Sequence, residues 1–126
     1  MRKKYNILIA DRNPHVRELL RREMILEGYR IKLAKTGREV IQYTLGQESF
    51  DLLIMDPDFP DTDEWLLLKK LEEHIPALPV VFHSFLSGND KQKDILTSVT
   101  FVEKKGRSID HLKKIVAEIL EKQKNG

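Results

Sequence analysis

The 126-residue chain predicts a three-layer α/β sandwich, a five-stranded parallel sheet with helices on both faces. Two observations lead there. Short apolar runs at 7–10 and 52–55 are bounded by polar or turn-forming residues, as in strands buried on both faces. Between such runs lie segments with apolar residues at helical spacing. Strand–helix–strand crossovers are right-handed, so the strands run parallel beneath helices on either side. In open sheets of this kind, ligands bind just beyond the carboxyl ends of the strands. Asp56, the first polar residue after the run LLIM, is therefore the leading candidate for chemistry.

Taken in order, residues 5–10 (YNILIA) form the first strand and end in Asp11. Pro14 suits the first turn of a helix, where its missing N–H costs nothing. That helix runs to about residue 27, with Val16, Leu19, Leu20 and Met24 on one face and Gly28 as a left-handed stop. Residues 30–34 alternate, with Ile31 and Leu33 inward, as in a half-exposed edge strand. Thr36 and Glu39 have the spacing of a capping box, opening a helix that buries Val40, Ile41, Thr44 and Leu45 and stops at Gly46.

After the central strand, Asp61 or Thr62 caps a helix carrying Trp65, Leu68, Leu71 and Ile75 in the core. Pro76 and Pro79 bracket a turn into a fourth strand at 79–83. A short polar helix is expected at 90–97 and a fifth strand at 100–103. Ser108 then caps a regular helix with Leu112, Ile115, Val116, Ile119 and Leu120 on one face, and 122–126 is a frayed tail. The reading is one domain over 1–126 with an ordered core at about 4–122, five strands alternating with five helices.

Composition narrows the function classes. Hydrophobic residues make up 40% and charged residues 33%, the balance of a globular chain. A net charge of +2 suggests no dedicated nucleic-acid or membrane surface. The absence of cysteine removes disulfides and thiolate metal sites. The apolar run behind the basic start is too short for a signal peptide, so a cytoplasmic location is expected. His15, His74, His83 and His111 lack metal-ligand spacing and read as surface or loop residues.

Each strand end delivers a polar residue: Asp11 and Arg12 after the first, Asp56 after the third, Ser84 after the fourth and Lys104 after the fifth. A carboxylate, a hydroxyl and an ammonium at one edge can hold a phosphoryl group. The carboxylate attacks, while the hydroxyl and the ammonium contact the charged oxygens. A divalent cation held by carboxylates usually completes such a site.

The segments 7–14 (ILIADRNP), 50–63 ending in Asp56, Pro60 and Asp63, 79–85 (PVVFHSF) and 101–104 (FVEK) resemble the receiver domain of bacterial two-component response regulators, over essentially the whole chain. The resemblance implies a chemotaxis-regulator-like fold with strand order 2-1-3-4-5. It implies Asp56 as the acceptor of phosphate from a histidine kinase, Lys104 and Ser84 as phosphate-binding residues, and Ser84 with Phe101 as the switch pair. It also implies a magnesium site, for which Asp11, Asp56 and Asp58 still cluster in this sequence, and a partner surface on the fourth helix, fifth strand and fifth helix, about 90–120. Homodimerisation through the same helices is an option.

The chain departs from that family pattern at the site. Arg12 stands where the family has its second acid, and an arginine cannot bind a cation. Its guanidinium is expected to pair with Asp56 or Asp11 and weaken or abolish Mg2+ binding. Phe85 replaces a small residue and is expected to cover Asp56. Lys105 replaces a proline, putting a cis peptide in doubt, and Glu64 replaces a glycine.

Three functions compete. One is a protein-interaction switch with a degenerate metal site, non-enzymatic and with doubtful phosphorylation at Asp56. Another is a conventional phosphoacceptor, a single-domain regulator or phosphorelay member. The third is a phosphatase of the haloacid dehalogenase type, suggested by Asp56-Pro57-Asp58, although that family carries its motif on the first strand of a longer chain. The first is the reading adopted, for a stand-alone receiver or a piece of a longer protein. Kinase, partner and pathway are not named by the sequence.

Overall fold

The computed structural model describes residues 4–85, 99–106 and 108–125. The elements are β1 (Asn6–Ala10), α1 (Pro14–Leu26), β2 (Arg30–Ala34), α2 (Gly37–Thr44), β3 (Leu52–Met55), α3 (Glu64–His74), β4 (Val80–Ser84), β5 (Val99–Glu103) and a C-terminal helix α4 (Ser108–Asn125). All strand pairs are parallel and the sheet order is β2-β1-β3-β4-β5, as expected. The helix expected at 90–97 lies outside the described residues.

Alternation along the strands divides the core into two layers. Leu8, Leu53, Met55, Val80 and Phe82 point to the side covered by α2 and α3, where Val40, Leu67, Leu68 and Leu71 meet them. Ile7, Ile9, Ile54, Val81 and Val102 point the other way, onto Leu20 and Met24 of α1 and Leu112, Val116 and Leu120 of α4. The central strand β3 is buried along its whole length, which explains its unbroken apolar run. At the edge, β2 is only partly buried.

The helix termini follow local chemistry. Asn13 caps α1 by accepting the N–H groups of His15 and Val16, and Gly28 ends it at φ 94°. Thr36 accepts the N–H of Glu39, while the Glu39 carboxylate reaches back one residue further than a capping box requires, to the N–H of Lys35. The cap of α3 is Asp63, which accepts the N–H of Leu66. Asp61 instead reaches across to α2, and its two oxygens accept the N–H groups of Gly37 and Arg38 at 2.9 Å each.

Several expectations change. Trp65 is 46% exposed and carries the Lys69 ammonium over its ring, whereas Leu67 takes the core place on α3. Leu19 and Leu45 lie largely at the surface. β4 starts at Val80 and reaches Ser84, and β5 starts at Val99. Helix α4 continues through Asn125, so the expected tail is helical, and Ser108 is its first residue. His83 is buried, because it follows Val81 on the sheet face covered by α4. Among the described residues no helix is long and apolar enough to cross a membrane.

Candidate functional site

The parallel sheet brings the carboxyl ends of β1, β3, β4 and β5 to one edge. The N–H of Asp56 donates to the carbonyl of Ala10, locking the ends of β1 and β3 together. The N–H of Lys104 donates to the carbonyl of Ser84 at 2.8 Å, locking β5 to β4. Asp11, Asp56, Ser84 and Lys104 are thus set by backbone pairing before any side chain contributes.

Lys104 is the centre of the cluster. Its Nζ lies 2.7 Å from Oδ2 of Asp11 and 2.6 Å from Oδ2 of Asp56. All three side chains are enclosed, with 8%, 2% and 11% exposure respectively. Charges removed from water to this degree persist only when paired. The Asp56 contact is a hydrogen bond, and the Asp11 contact is a close ion pair. Burial pulls the Lys104 ammonium toward its neutral form, but the two carboxylates outweigh it and hold its pKa above the ordinary lysine value. The outer oxygens are also occupied. Asp11 Oδ1 accepts the N–H of Asn13 and Asp56 Oδ1 accepts the N–H of Asp58.

Arg12 does not enter this cluster. It pairs with Asp58, Nη2 to Oδ2 at 3.3 Å, and both side chains are more than half exposed. The expected partners Asp56 and Asp11 are already held by Lys104. Arg12, next in the chain after the inward-facing Asp11, turns toward solvent. Phe85 also departs from expectation. Its ring is 71% exposed and meets the Lys104 ammonium at 5.3 Å from the centroid, so it borders the pocket and forms no sealed roof over Asp56. Phe101 packs edge-on against Phe82 with centroids 5.1 Å apart. No cis peptide occurs among the described residues, and Lys105 pairs with Glu103 at the surface.

The donor set bears directly on a divalent cation. Hard carboxylate and carbonyl oxygens suit magnesium. Here Asp11 and Asp56 share one ammonium and Asp58 is bound to a guanidinium. Among the described residues no group of three His, Cys, Asp or Glu side chains is placed to hold a metal ion. Each of the three acids is therefore already engaged by a cationic side chain of the chain itself.

Three further residues belong to the neighbourhood. Arg17 donates through Nη1 to the Asp11 carbonyl at 2.7 Å. The His83 Nε2 lies 3.1 Å from Ser108 Oγ, both side chains being buried. The histidine's pKa is lowered to about 4 by burial and by the Lys104 ammonium, against the opposing pull of Asp11 and Asp56. A histidine in the otherwise apolar strand VVFHS was the available sequence signal for that pair; nothing in the spacing marked Arg17.

Comparison with known proteins agrees with this geometry. The family "Response regulator receiver domain" matches residues 7–117. The sensor protein EvgS of Escherichia coli is 30% identical over 117 residues, covering 92% of this chain and 10% of EvgS. Two response regulators also match, and the chain spans 51% and 47% of their lengths. A two-component response regulator from Clostridium difficile superposes with a TM-score of 0.83 at 23% identity, covering 95% of this chain and 98% of that one. The response regulator TrrA of Thermotoga maritima, in complex with Mg2+ and beryllofluoride, gives 0.77 at 24% identity, covering 91% and 98%. With the matched family spanning the sheet and the acid edge alike, the chain belongs to the response regulator receiver domains of two-component signalling.

Proposed function

We propose that this receiver is a protein-interaction switch whose acid pocket is held by its own cations, with metal-assisted phosphorylation of Asp56 suppressed. The observation that carries the reading is the pairing of the three acids in question, Asp11 and Asp56 by Lys104 and Asp58 by Arg12. A magnesium ion would have to displace the ammonium or the guanidinium, and Arg12 adds a positive charge where the family resemblance implies an acid. Asp56 remains the acceptor position, Lys104 and Ser84 the groups that would contact phosphoryl oxygens, and Phe101 the aromatic member of the switch. The partner is a histidine kinase or another signalling protein, meeting β5, α4 and the segment between β4 and β5. The same surface would serve a homodimer. A non-enzymatic role in the cytoplasm follows from the same reading.

The conventional phosphoacceptor reading is kept alive by the intact Asp11–Asp56–Lys104 cluster. Intact mass after incubation with a small phosphodonor and magnesium separates the two. The suppressed site predicts no added phosphoryl mass in the parent. A stable phosphoryl adduct that disappears in Asp56→Asn would overturn it in favour of the conventional reading.

A further inference from the structure

A buried polar pair outside the acid cluster sits where β4 meets the start of α4. His83 is 4% exposed and Ser108 is 7% exposed. The Nδ1 of His83 is buried and has no hydrogen-bond partner among the described residues. The surroundings on that face of the sheet are apolar, including Val81, Val102 and Leu112. Two apolar side chains of similar shape would avoid leaving a polar nitrogen unsatisfied there, so the pair is not explained by core packing.

Its placement supplies a role. Ser108 opens α4 four positions after Lys104, and its N–H donates to the carbonyl of Lys105 at 2.9 Å. At the other end of the same connection, the N–H of Lys104 donates to the carbonyl of Ser84, the residue next to His83. Lys104 and Ser108 are therefore each tied to β4, Lys104 to Ser84 through the backbone and Ser108 to His83 through its hydroxyl. A lysine side chain loses considerable rotamer freedom when held in one geometry, so its carboxylate contacts depend on where the backbone presents it.

We infer that His83 is a positioning residue for Lys104, acting through Ser108 to fix the start of α4 beside Lys104 so that the ammonium rests between Asp11 and Asp56. The inference rests on the ion-paired pocket and not on whether Asp56 ever takes phosphate, so it survives either outcome of the phosphodonor experiment.

The test is the exchange rate of the lysine ammonium in nitrogen-selective NMR spectra of the full chain. A buried, paired ammonium gives a slowly exchanging signal, assigned here by its disappearance in Lys104→Met. In the double variant His83→Val with Ser108→Ala, the expected result is exchange accelerated at least several-fold with Tm unchanged or raised. Ser108→Thr, which keeps the hydroxyl, is expected to retain the slow signal. If the double variant fails to fold, Ser108→Ala alone is read in the same way. An unchanged ammonium signal in the folded variant overturns the inference, as does a parent chain in which Lys104 already exchanges freely.

Discussion

At neutral pH the His83 imidazole is uncharged, because burial and the nearby Lys104 ammonium lower its pKa from 6.5 to about 4. The unfolded chain binds this proton more tightly than the folded one, so the stabilising contribution is complete above pH 6.5. It is lost as the pH falls toward 4. Urea titrations across that window should show the parent losing on the order of 2 kcal/mol between about pH 7 and 5 relative to His83→Val. Parallel curves for the two proteins would contradict a neutral buried histidine. Phe85 gives the opposite kind of expectation. Its ring is 71% exposed and touches the site only through the lysine, so Phe85→Ala should change stability by less than about 1 kcal/mol. A large loss on thermal unfolding would show that the ring covers more than it presents. At this scale the positions of Asp11, Asp56, Ser84 and Lys104 were legible, because each stands at or just beyond the end of a strand. The sequence misjudged Arg12 and Phe85 because side-chain direction past a strand end depends on which partners are already taken.

The elements show how a loop can be fixed by its neighbour. The connection after β3 carries Asp56 and Asp58, is pinned by the buried ring of Phe59, and docks on α2 through Asp61. Hydrogen bonds from the N–H groups of Arg38 and Gly37 hold the Asp61 carboxyl below its usual pKa. Asp61→Ala removes both acceptors from the first turn of α2 and should cost about 1–2 kcal/mol in chemical denaturation. Gly37 allows the close approach, since a Cβ there would lie 2.2 Å from Thr62 Cγ2. Gly37→Ala should therefore destabilise the parent, and Thr62→Ala should relieve most of that loss; additive effects would mean that the contact is unimportant. Sequence spacing found the Thr36 cap of α2 and the Gly28 stop of α1 because those signals are local, but it did not mark the Asn13 cap of α1. It offered Asp61 or Thr62 as the cap of α3, because a cap that Asp61 supplies to α2 from 24 residues away leaves no local pattern.

For the whole molecule, two apolar layers on either side of one parallel sheet dominate stability. Leu53 is fully buried in the layer under α2 and α3, and Leu53→Ala should cost about 2–5 kcal/mol, measured by reversible unfolding. The architecture was legible because buried parallel strands must be short apolar runs and crossover helices must be amphipathic. The order with β2 at the edge agrees with its alternating pattern. Burial on the helices was less legible, as Trp65 shows: three consecutive leucines follow it, and periodicity alone does not decide which of them faces the sheet. The acid edge was visible as a list of residue types but not as a network, because pairing between strand ends is set by tertiary register. The proposed suppression of metal binding rests on Lys104 holding Asp11 and Asp56 and on Arg12 holding Asp58. Calorimetric titration of the parent chain and of Arg12→Asp with magnesium tests it most directly. The account predicts no saturable heat for the parent at millimolar magnesium and a saturable site in Arg12→Asp that is lost again when Asp56→Asn is added. Saturable binding by the parent, with Arg12→Asp no tighter, would contradict it.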